Sequence, residues 1–217
     1  MLVALTTWAG FWQLERAREK TQIAERARET LRAPPLTIAP GEINPGDYNL
    51  RRVAAQGVFD PESTIYLDNK VREGVAGYEV LSLLRLEGGR KPVLVNRGWI
   101  AQGPTRDELP GVPLPQGEVT IEGVAQLPSE RVLELSDETI QGKVWQNLDL
   151  ERYRAVFRGD VQPFVILQQS TSADGLKRDW KFPNAGAGKH RAYAVQWFAL
   201  AALTVTFYFA VGRREKT

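Results

Sequence analysis

His190 is the residue of this 217-residue chain with the most distinctive chemistry, because it is the only histidine. A neutral imidazole is the commonest metal ligand in proteins. On a helix, His190 would share one face with flat rings and small side chains, namely Tyr193, Trp197, Ala201, Thr204 and Tyr208. Chemistry alone leaves two interpretations open: the imidazole binds a metal, or it is a solvated or capping residue at the start of a helix.

The run Asn96-Arg97-Gly98-Trp99 is a second group that could do chemistry, at the end of a predicted strand. In one interpretation it is a turn in which Arg97 stacks on Trp99, a contact that stabilises by ~0.5–1 kcal/mol. In the other, the guanidinium of Arg97 binds a carboxylate of a ligand beside Trp99. We favour the turn, because Arg–Trp pairs are common in protein structures.

Several function classes are excluded or disfavoured by what the sequence lacks. There is no Cys, which excludes disulfides, thiolate metal sites and c-type haem attachment. The sequence contains no nucleophile elbow, P-loop, dinucleotide-binding or zinc-protease motif. The net charge is only +2, so there is no basic surface of the kind that nucleic acid requires. A hydrolase with a carboxylate pair would leave no spacing signature, and we predict that the chain is not an enzyme.

The residues after His190 predict a transmembrane helix over 190–211. Tyr193 to Val211 are 19 residues without a charged side chain. As an α-helix they would cover roughly 28 Å, close to the thickness of the hydrocarbon core of a bilayer. We expect Val195, Phe198, Leu203 and Val205 to face lipid, and residues 212–217 to form a basic tail.

Residues 1–14 form a second apolar, uncharged stretch. As a helix it would cover only ~21 Å, which is too short for a bilayer. A signal peptide or a core helix are alternatives, but we favour a transmembrane helix whose start has been lost. In the resulting hairpin Trp12-Gln13 and Gln196-Trp197 would lie at one depth, and the two Gln amides could form a hydrogen bond across the helices.

Between the two apolar stretches the sequence predicts a charged helix over 15–35, ended by Pro34-Pro35, and then a β-rich domain over 36–189. Turn signals separate short runs rich in Val, Ile, Leu and Tyr, which indicates an antiparallel, barrel-like sheet. Asp149 should cap a short helix over Leu150–Phe157. The predicted strands are Arg51–Phe59, Ser63–Val71, Gly77–Leu86, Pro92–Ile100, Val119–Leu127, Val144–Leu148 and Phe164–Gln169.

Some of these elements resemble the surfeit locus protein 1 family. The run from Gly10 to Arg16, GFWQLER, resembles the family's G-x-W-Q-x-x-R element. His190 with the run from Tyr193 to Phe198 resembles its second specific element. The other matching elements are Gly57-Val58-Phe59, Gly77-Tyr78, Val95-Asn96-Arg97-Gly98-Trp99 and Gly123. They occur in the family's order and cover almost the whole chain.

The resemblance implies a membrane protein with two transmembrane helices flanking an extracytoplasmic, mainly-β, antiparallel and barrel-like domain that carries one or two short helices. It implies the bacterial inner membrane with the large domain in the periplasm and the tail in the cytoplasm, the mitochondrial inner membrane being the alternative. It also implies an assembly factor for haem–copper cytochrome c oxidase. Its partners would be oxidase subunit I, haem a synthase and the lipid bilayer.

The cofactor implied by the resemblance is haem a, with His190 as the ligand of the haem iron. Haem iron takes His, Met, Cys or Tyr as an axial ligand, and this chain has no Cys and a single Met, Met1. Trp12, Gln13, Tyr193, Gln196 and Trp197 would line the haem, with Arg97 and Trp99 as secondary candidates. The alternative is a membrane-tethered protein-interaction module of oxidase assembly that binds no haem.

The implied topology can be tested because the chain has no Cys of its own. We expect a membrane-impermeant thiol reagent to label Thr171→Cys in intact cells and to leave Thr217→Cys unlabelled, because residue 171 would lie in the periplasm and residue 217 in the cytoplasm. Permeabilised cells, the control, should label both variants. Labelling of Thr217→Cys alone in intact cells would show that the orientation is reversed.

Overall fold

The computed structural model describes residues 1–38, 43–103, 108–128, 140–180 and 187–214. The chain divides into two compact units. A helical unit comprises Met1–Glu29 and Lys181–Thr217, and a β-rich unit comprises Thr30–Trp180. The N-terminal and C-terminal segments of the chain therefore fold together, and the β-rich unit is inserted between them in sequence.

Two long helices make up the helical unit: α1 (Leu2–Arg32) and α4 (Ala187–Arg214). The β-rich unit carries two short helices, α2 (Pro45–Tyr48) and α3 (Leu150–Phe157). Helix α1 runs without interruption from the apolar stretch through the charged stretch and ends two residues before Pro34, as expected for a chain approaching proline. Within the described residues, no helix combines the length and the apolar character needed to cross a membrane. The predicted span over 190–211 includes Phe209 and Val211, whose side chains lie outside the described residues, as does the end of the tail.

The β-rich unit contains one sheet, to which the described part of the chain contributes nine strands. The predicted strand over Gly77–Leu86 is confirmed with those bounds, whereas the strand predicted over Ser63–Val71 is reduced to three residues. The strands are β1 (Leu36–Thr37), β2 (Arg52–Phe59), β3 (Ile65–Leu67), β4 (Gly77–Leu86), β5 (Val93–Ala101), β6 (Glu118–Gln126), β7 (Ile140–Gln141), β8 (Val144–Trp145) and β9 (Val165–Gln168).

The sheet closes on itself, as the barrel-like prediction expects. Strand β2 pairs with β6 along one edge and with β4 along the other, and the path β2–β6–β9–β5–β4 returns to β2. Strand β4 can pair with two neighbours on one side because its first half contacts β3 and its second half contacts β2. Closure removes most of the free strand edges, which would otherwise invite pairing with other chains.

The expectation of a purely antiparallel sheet is wrong for three pairings. Strands β1–β2, β3–β8 and β5–β9 are parallel. The last of these follows from the order of the chain: β9 comes after the helix α3 (Leu150–Phe157) and inserts between β5 and β6. It then runs parallel to one neighbour and antiparallel to the other.

Helix α3 has its predicted bounds, and Asp149 caps it by accepting from the backbone N–H groups of Glu151 and Arg152 at 2.8 and 3.1 Å.

Neighbouring backbones of the ring approach each other closely at several glycines, among them Gly57 and Gly123. A Cβ atom on Gly57 of β2 would lie 2.0 Å from the carbonyl oxygen of Arg85 in β4. A Cβ atom on Gly123 of β6 would lie 2.2 Å from the carbonyl oxygen of Leu167 in β9. No side chain fits at either place without moving a strand, so both positions require glycine.

Arg97 lies inside β5 and does not form the turn that the sequence predicts. The register of β4 against β5 shifts at Val80 and Leu81, and this shift makes Arg97 the extra residue of a β-bulge. The bulge directs the side chain inward, where it is 0% exposed. Its guanidinium lies 5.5 Å from the ring of Phe59, and the predicted stack of Arg97 on Trp99 is wrong. The indole of Trp99 instead contacts Arg72 and Lys177.

A buried ion network surrounds Arg97. Its Nη2 donates to the carbonyl oxygen of Pro113 at 2.5 Å and to Asp174 Oδ2 at 3.1 Å. Arg178 donates to both carboxylate oxygens of Asp174, at 2.7 and 2.6 Å. Burial lowers the pKa of Arg97, and the nearby Asp174 carboxylate opposes this shift. One buried carboxylate therefore compensates two guanidinium groups.

Loss of the Asp174 carboxylate from this network should lower the free energy of unfolding more than loss of the Arg97 guanidinium. Asp174→Asn should lower the free energy of unfolding by about 3–5 kcal/mol, because it leaves two buried cations without a counter-charge. Arg97→Met should cost less, because Asp174 keeps its ion pair with Arg178. Chemical denaturation of the full chain measures both, with the exposed Asp47→Asn as a control. A larger cost for Arg97→Met than for Asp174→Asn would contradict this account of the network.

Candidate functional site

The two helices of the helical unit run antiparallel, and their contacts occur in reverse order along the two sequences. Gln13 of α1 meets His190 near the start of α4, and Phe11 meets Phe198 further along. Leu2, at the beginning of α1, borders an open apolar groove of about 550 Å³ whose other lining residues are Leu203, Thr204, Thr206, Phe207 and Ala210. The predicted helical hairpin therefore brings the beginning of the chain next to its last helix.

Gly10 of α1 packs directly against the ring of Phe198 in α4. A Cβ atom there would lie 2.7 Å from the ring of Phe198, and the same ring packs edge-to-face on Phe11, with 5.3 Å between the ring centroids. Ala194 and Ala201, on either side of Phe198, are buried. The prediction that Phe198 faces lipid is therefore wrong: this ring belongs to the seam between the helices, together with the two alanines.

His190 contacts Gln13 across this seam. Its ring nitrogen Nδ1 lies 2.7 Å from the side-chain oxygen Oε1 of Gln13. The predicted hydrogen bond between Gln13 and Gln196 is replaced by this contact. The reason is the rotation of α4: Gln196 is two residues, about 200° of helix, from both Ala194 and Phe198, and its side chain is exposed. Sequence spacing predicted the level of the helical hairpin at which Gln13 lies. It did not predict which side chain of α4 Gln13 contacts.

The remaining predicted site residues lie near this contact along the two helices. Tyr193 and Trp12 are exposed by 52% and 46%, and Trp197 is half-buried. The guanidinium of Arg16 lies 5.9 Å from the ring of Trp12, one turn further along α1. The helical unit thus presents one imidazole together with partly accessible aromatic rings. Arg97 and Trp99 belong to the β-rich unit.

The start of α4 carries positive charge beside His190. Lys189 and Arg191 flank it in sequence, and both are exposed. The guanidinium of Arg191 also reaches Thr21 of α1, with Nη2 donating to Oγ1 at 3.5 Å. Among the described residues, no three His, Cys, Asp or Glu side chains cluster so that they could hold a metal ion.

Away from the charged end, the surface of the helical unit is apolar. The exposed large apolar side chains of its two helices include Leu2, Leu5, Trp8, Phe11, Val195, Leu200, Leu203, Val205, Phe207 and Tyr208. The hydroxyl groups of Thr6, Thr204 and Thr206 donate to carbonyl oxygens four residues earlier in their own helices, at 3.0, 2.8 and 2.9 Å. These hydroxyl groups therefore need no water to satisfy their hydrogen bonds.

The SURF1 family profile matches residues 1–202, which include α1, the nine described strands and α4 as far as Ala202. The chain belongs to the SURF1 family. It is 25% identical to surfeit locus protein 1 of Takifugu rubripes over 97% of this chain and 94% of that protein. It is 28% identical to a SURF1-like protein of Rickettsia bellii over 92% of this chain and 83% of that protein, and 29% identical to one of Rickettsia conorii over 94% and 85%.

Family membership confirms the resemblance that the sequence motifs indicated. The G-x-W-Q-x-x-R element forms the α1 side of the helix contact, through Gly10 and Gln13. The element from His190 to Phe198 forms the α4 side. Sequence reasoning missed the role of Gly10, although a glycine in an otherwise uninterrupted apolar helix is a signal for close packing against a neighbour.

The helix crossing can be tested at Gly10. Gly10→Leu should lower the free energy of unfolding of the helical unit by ~1–3 kcal/mol, because the new side chain overlaps the ring of Phe198. The double variant Gly10→Leu/Phe198→Ala should recover part of this loss, since it removes the ring that is in the way. Circular dichroism of the full chain during unfolding measures the helices. Additive losses in the double variant would show that Gly10 and Phe198 do not contact each other.

Proposed function

We propose that this SURF1 family member is an assembly factor for haem–copper cytochrome c oxidase that binds haem a and assists its insertion into subunit I. The observation that carries the proposal is the setting of His190. The chain's single imidazole lies on a helix seam beside accessible aromatic rings, and among the described residues only Gln13 hydrogen-bonds to it. The family resemblance implies the same residue as the haem ligand.

The residues present fit a haem. Haem iron requires a strong axial donor, which His190 can supply. The rings of Tyr193 and Trp197, one and two turns further along α4, offer flat apolar surface to a porphyrin. Lys189 and Arg191 offer positive charge to its propionates. When bound, haem a supplies a redox-active iron centre; the protein's own part is to hold it and to keep its apolar tail out of water.

We also propose that the two helices span the bacterial inner membrane, with the β-rich unit in the periplasm. The support is the many exposed large apolar side chains of α1 and α4, and the hydrogen bonds of Thr6, Thr204 and Thr206 to carbonyl oxygens of their own helices. Exposed apolar surface of this extent is unusual on a protein that faces only water. A haem with a long apolar tail would lie beside lipid in such a setting.

Subunit I of the oxidase is the proposed receiving partner, with haem a synthase as the source of the haem. This part of the proposal rests on the family resemblance. The β-rich unit would supply the docking surface, because it has its own hydrophobic cores and does not contain His190. The alternative function is an interaction module of oxidase assembly that docks through this unit and binds no haem.

The experiment is a haem spectrum of the full chain purified from a host that makes haem a. His190→Ala should abolish the low-spin Soret band and lower the haem a content of the oxidase, while the protein still accumulates in the membrane, because the imidazole is the proposed iron ligand. Leu200→Ala, an exposed apolar position of the same helix, is the control and should keep the band. Full haem occupancy in His190→Ala would remove His190 as the ligand and favour the interaction module.

A further inference from the structure

We propose that Gln13 is a positioning residue that fixes the tautomer of His190. It keeps the proton on Nδ1 and leaves Nε2 unprotonated, with its lone pair free to bind a metal. The role of this tautomer in haem binding rests on the proposed function, whereas the tautomer itself is a property of the protein without haem. The starting observation is the distance of 2.7 Å between Nδ1 of His190 and Oε1 of Gln13.

The tautomer follows from the hydrogen-bonding groups. An amide oxygen can only accept, so the ring nitrogen facing it must carry the proton and donate. A neutral imidazole has one proton, and placing it on Nδ1 leaves the lone pair of Nε2 free. Neutral imidazole in water instead favours the proton on Nε2. The Gln13 contact therefore selects the less common tautomer, which is the one that can bind a metal through Nε2.

The same contact fixes the orientation of the ring. Gln13 and His190 are on different helices, and both side chains are half-buried. One turn earlier in α1, the crossing is held by Gly10 against Phe198. Because Nδ1 is tied to α1, Nε2 is turned away from Gln13. Metal-binding histidines commonly use their second nitrogen in this way, and loss of the partner typically weakens metal binding ~10–100-fold.

A merely structural contact would differ in one respect. It would stabilise the pair of helices through packing alone, so any side chain of similar size at residue 13 would have the same effect. A positioning role requires an acceptor at residue 13. Glutamate keeps an acceptor oxygen at the same reach, whereas methionine has a similar length and only a weakly accepting sulfur. The pair of variants Gln13→Glu and Gln13→Met therefore separates the two roles.

The test is ¹⁵N NMR of the full chain labelled with ¹⁵N-histidine, without haem and at a pH where the ring is neutral. Since His190 is the only histidine, both nitrogen signals belong to it, and their couplings to the two ring C–H protons distinguish Nδ1 from Nε2. We expect Nδ1 to be the protonated nitrogen in the native chain and in Gln13→Glu. In Gln13→Met the proton should move largely to Nε2. Gln22→Met, the same substitution at an exposed position of the same helix, should leave the native pattern unchanged.

A second arm is titration of the same proteins with ferric haem, followed at the Soret band. Gln13→Met should bind ~10–100-fold more weakly than the native chain, and Gln13→Glu should restore most of the affinity. A native chain with the proton on Nε2, or a Gln13→Met variant with the native tautomer, would overturn the inference even if haem binds. The expected tautomers without any haem binding would leave the inference standing and count against the proposed function instead.

Discussion

The crossing of α1 and α4 at Gly10 is the constraint on which the candidate site depends. The ring of Phe198 occupies the space that a Cβ atom would need, and Ala194 and Ala201 complete the seam. The edge-to-face contact with Phe11 adds ~0.5–1.5 kcal/mol to this packing. If the helices were further apart, Gln13 could not reach His190. The hydrogen bond between them contributes only ~0.5–1.5 kcal/mol, so the packing at Gly10, and not this bond, must hold the helices together.

The β-rich unit is stabilised by different means. Its strands form a ring in which Gly57 and Gly123 let neighbouring backbones approach closely. At one bulge of β5 the ring holds Arg97 inside the unit, where Asp174 compensates its charge. The guanidinium of Arg97 forms hydrogen bonds to the connection after β5, at Pro113, and to the segment after β9, at Asp174.

The sequence predicted those features that depend on local pattern. Alternating apolar residues gave most strands and the bounds of β4, Asp149 gave the start of α3, and the two terminal motifs gave the family. The errors arose where long-range geometry decides the outcome. Spacing along α4 could not tell which face meets α1, so Phe198 was expected to face lipid and Gln196 to meet Gln13. The parallel insertion of β9 depends on strands that are far apart in sequence. The bulge at Arg97 depends on the pairing register of β4 and β5, which the apolar pattern of either strand alone does not show.

We propose that His190 supplies the axial nitrogen of a bound haem, and because it is the only histidine a direct measurement is possible. The complex of ferric haem a with the full chain can be prepared once with ¹⁴N-histidine and once with ¹⁵N-histidine, and studied by electron spin echo envelope modulation. The account predicts that the strongly coupled protein nitrogen changes from the ¹⁴N to the ¹⁵N pattern. Identical spectra from the two preparations, at full haem occupancy, would contradict it.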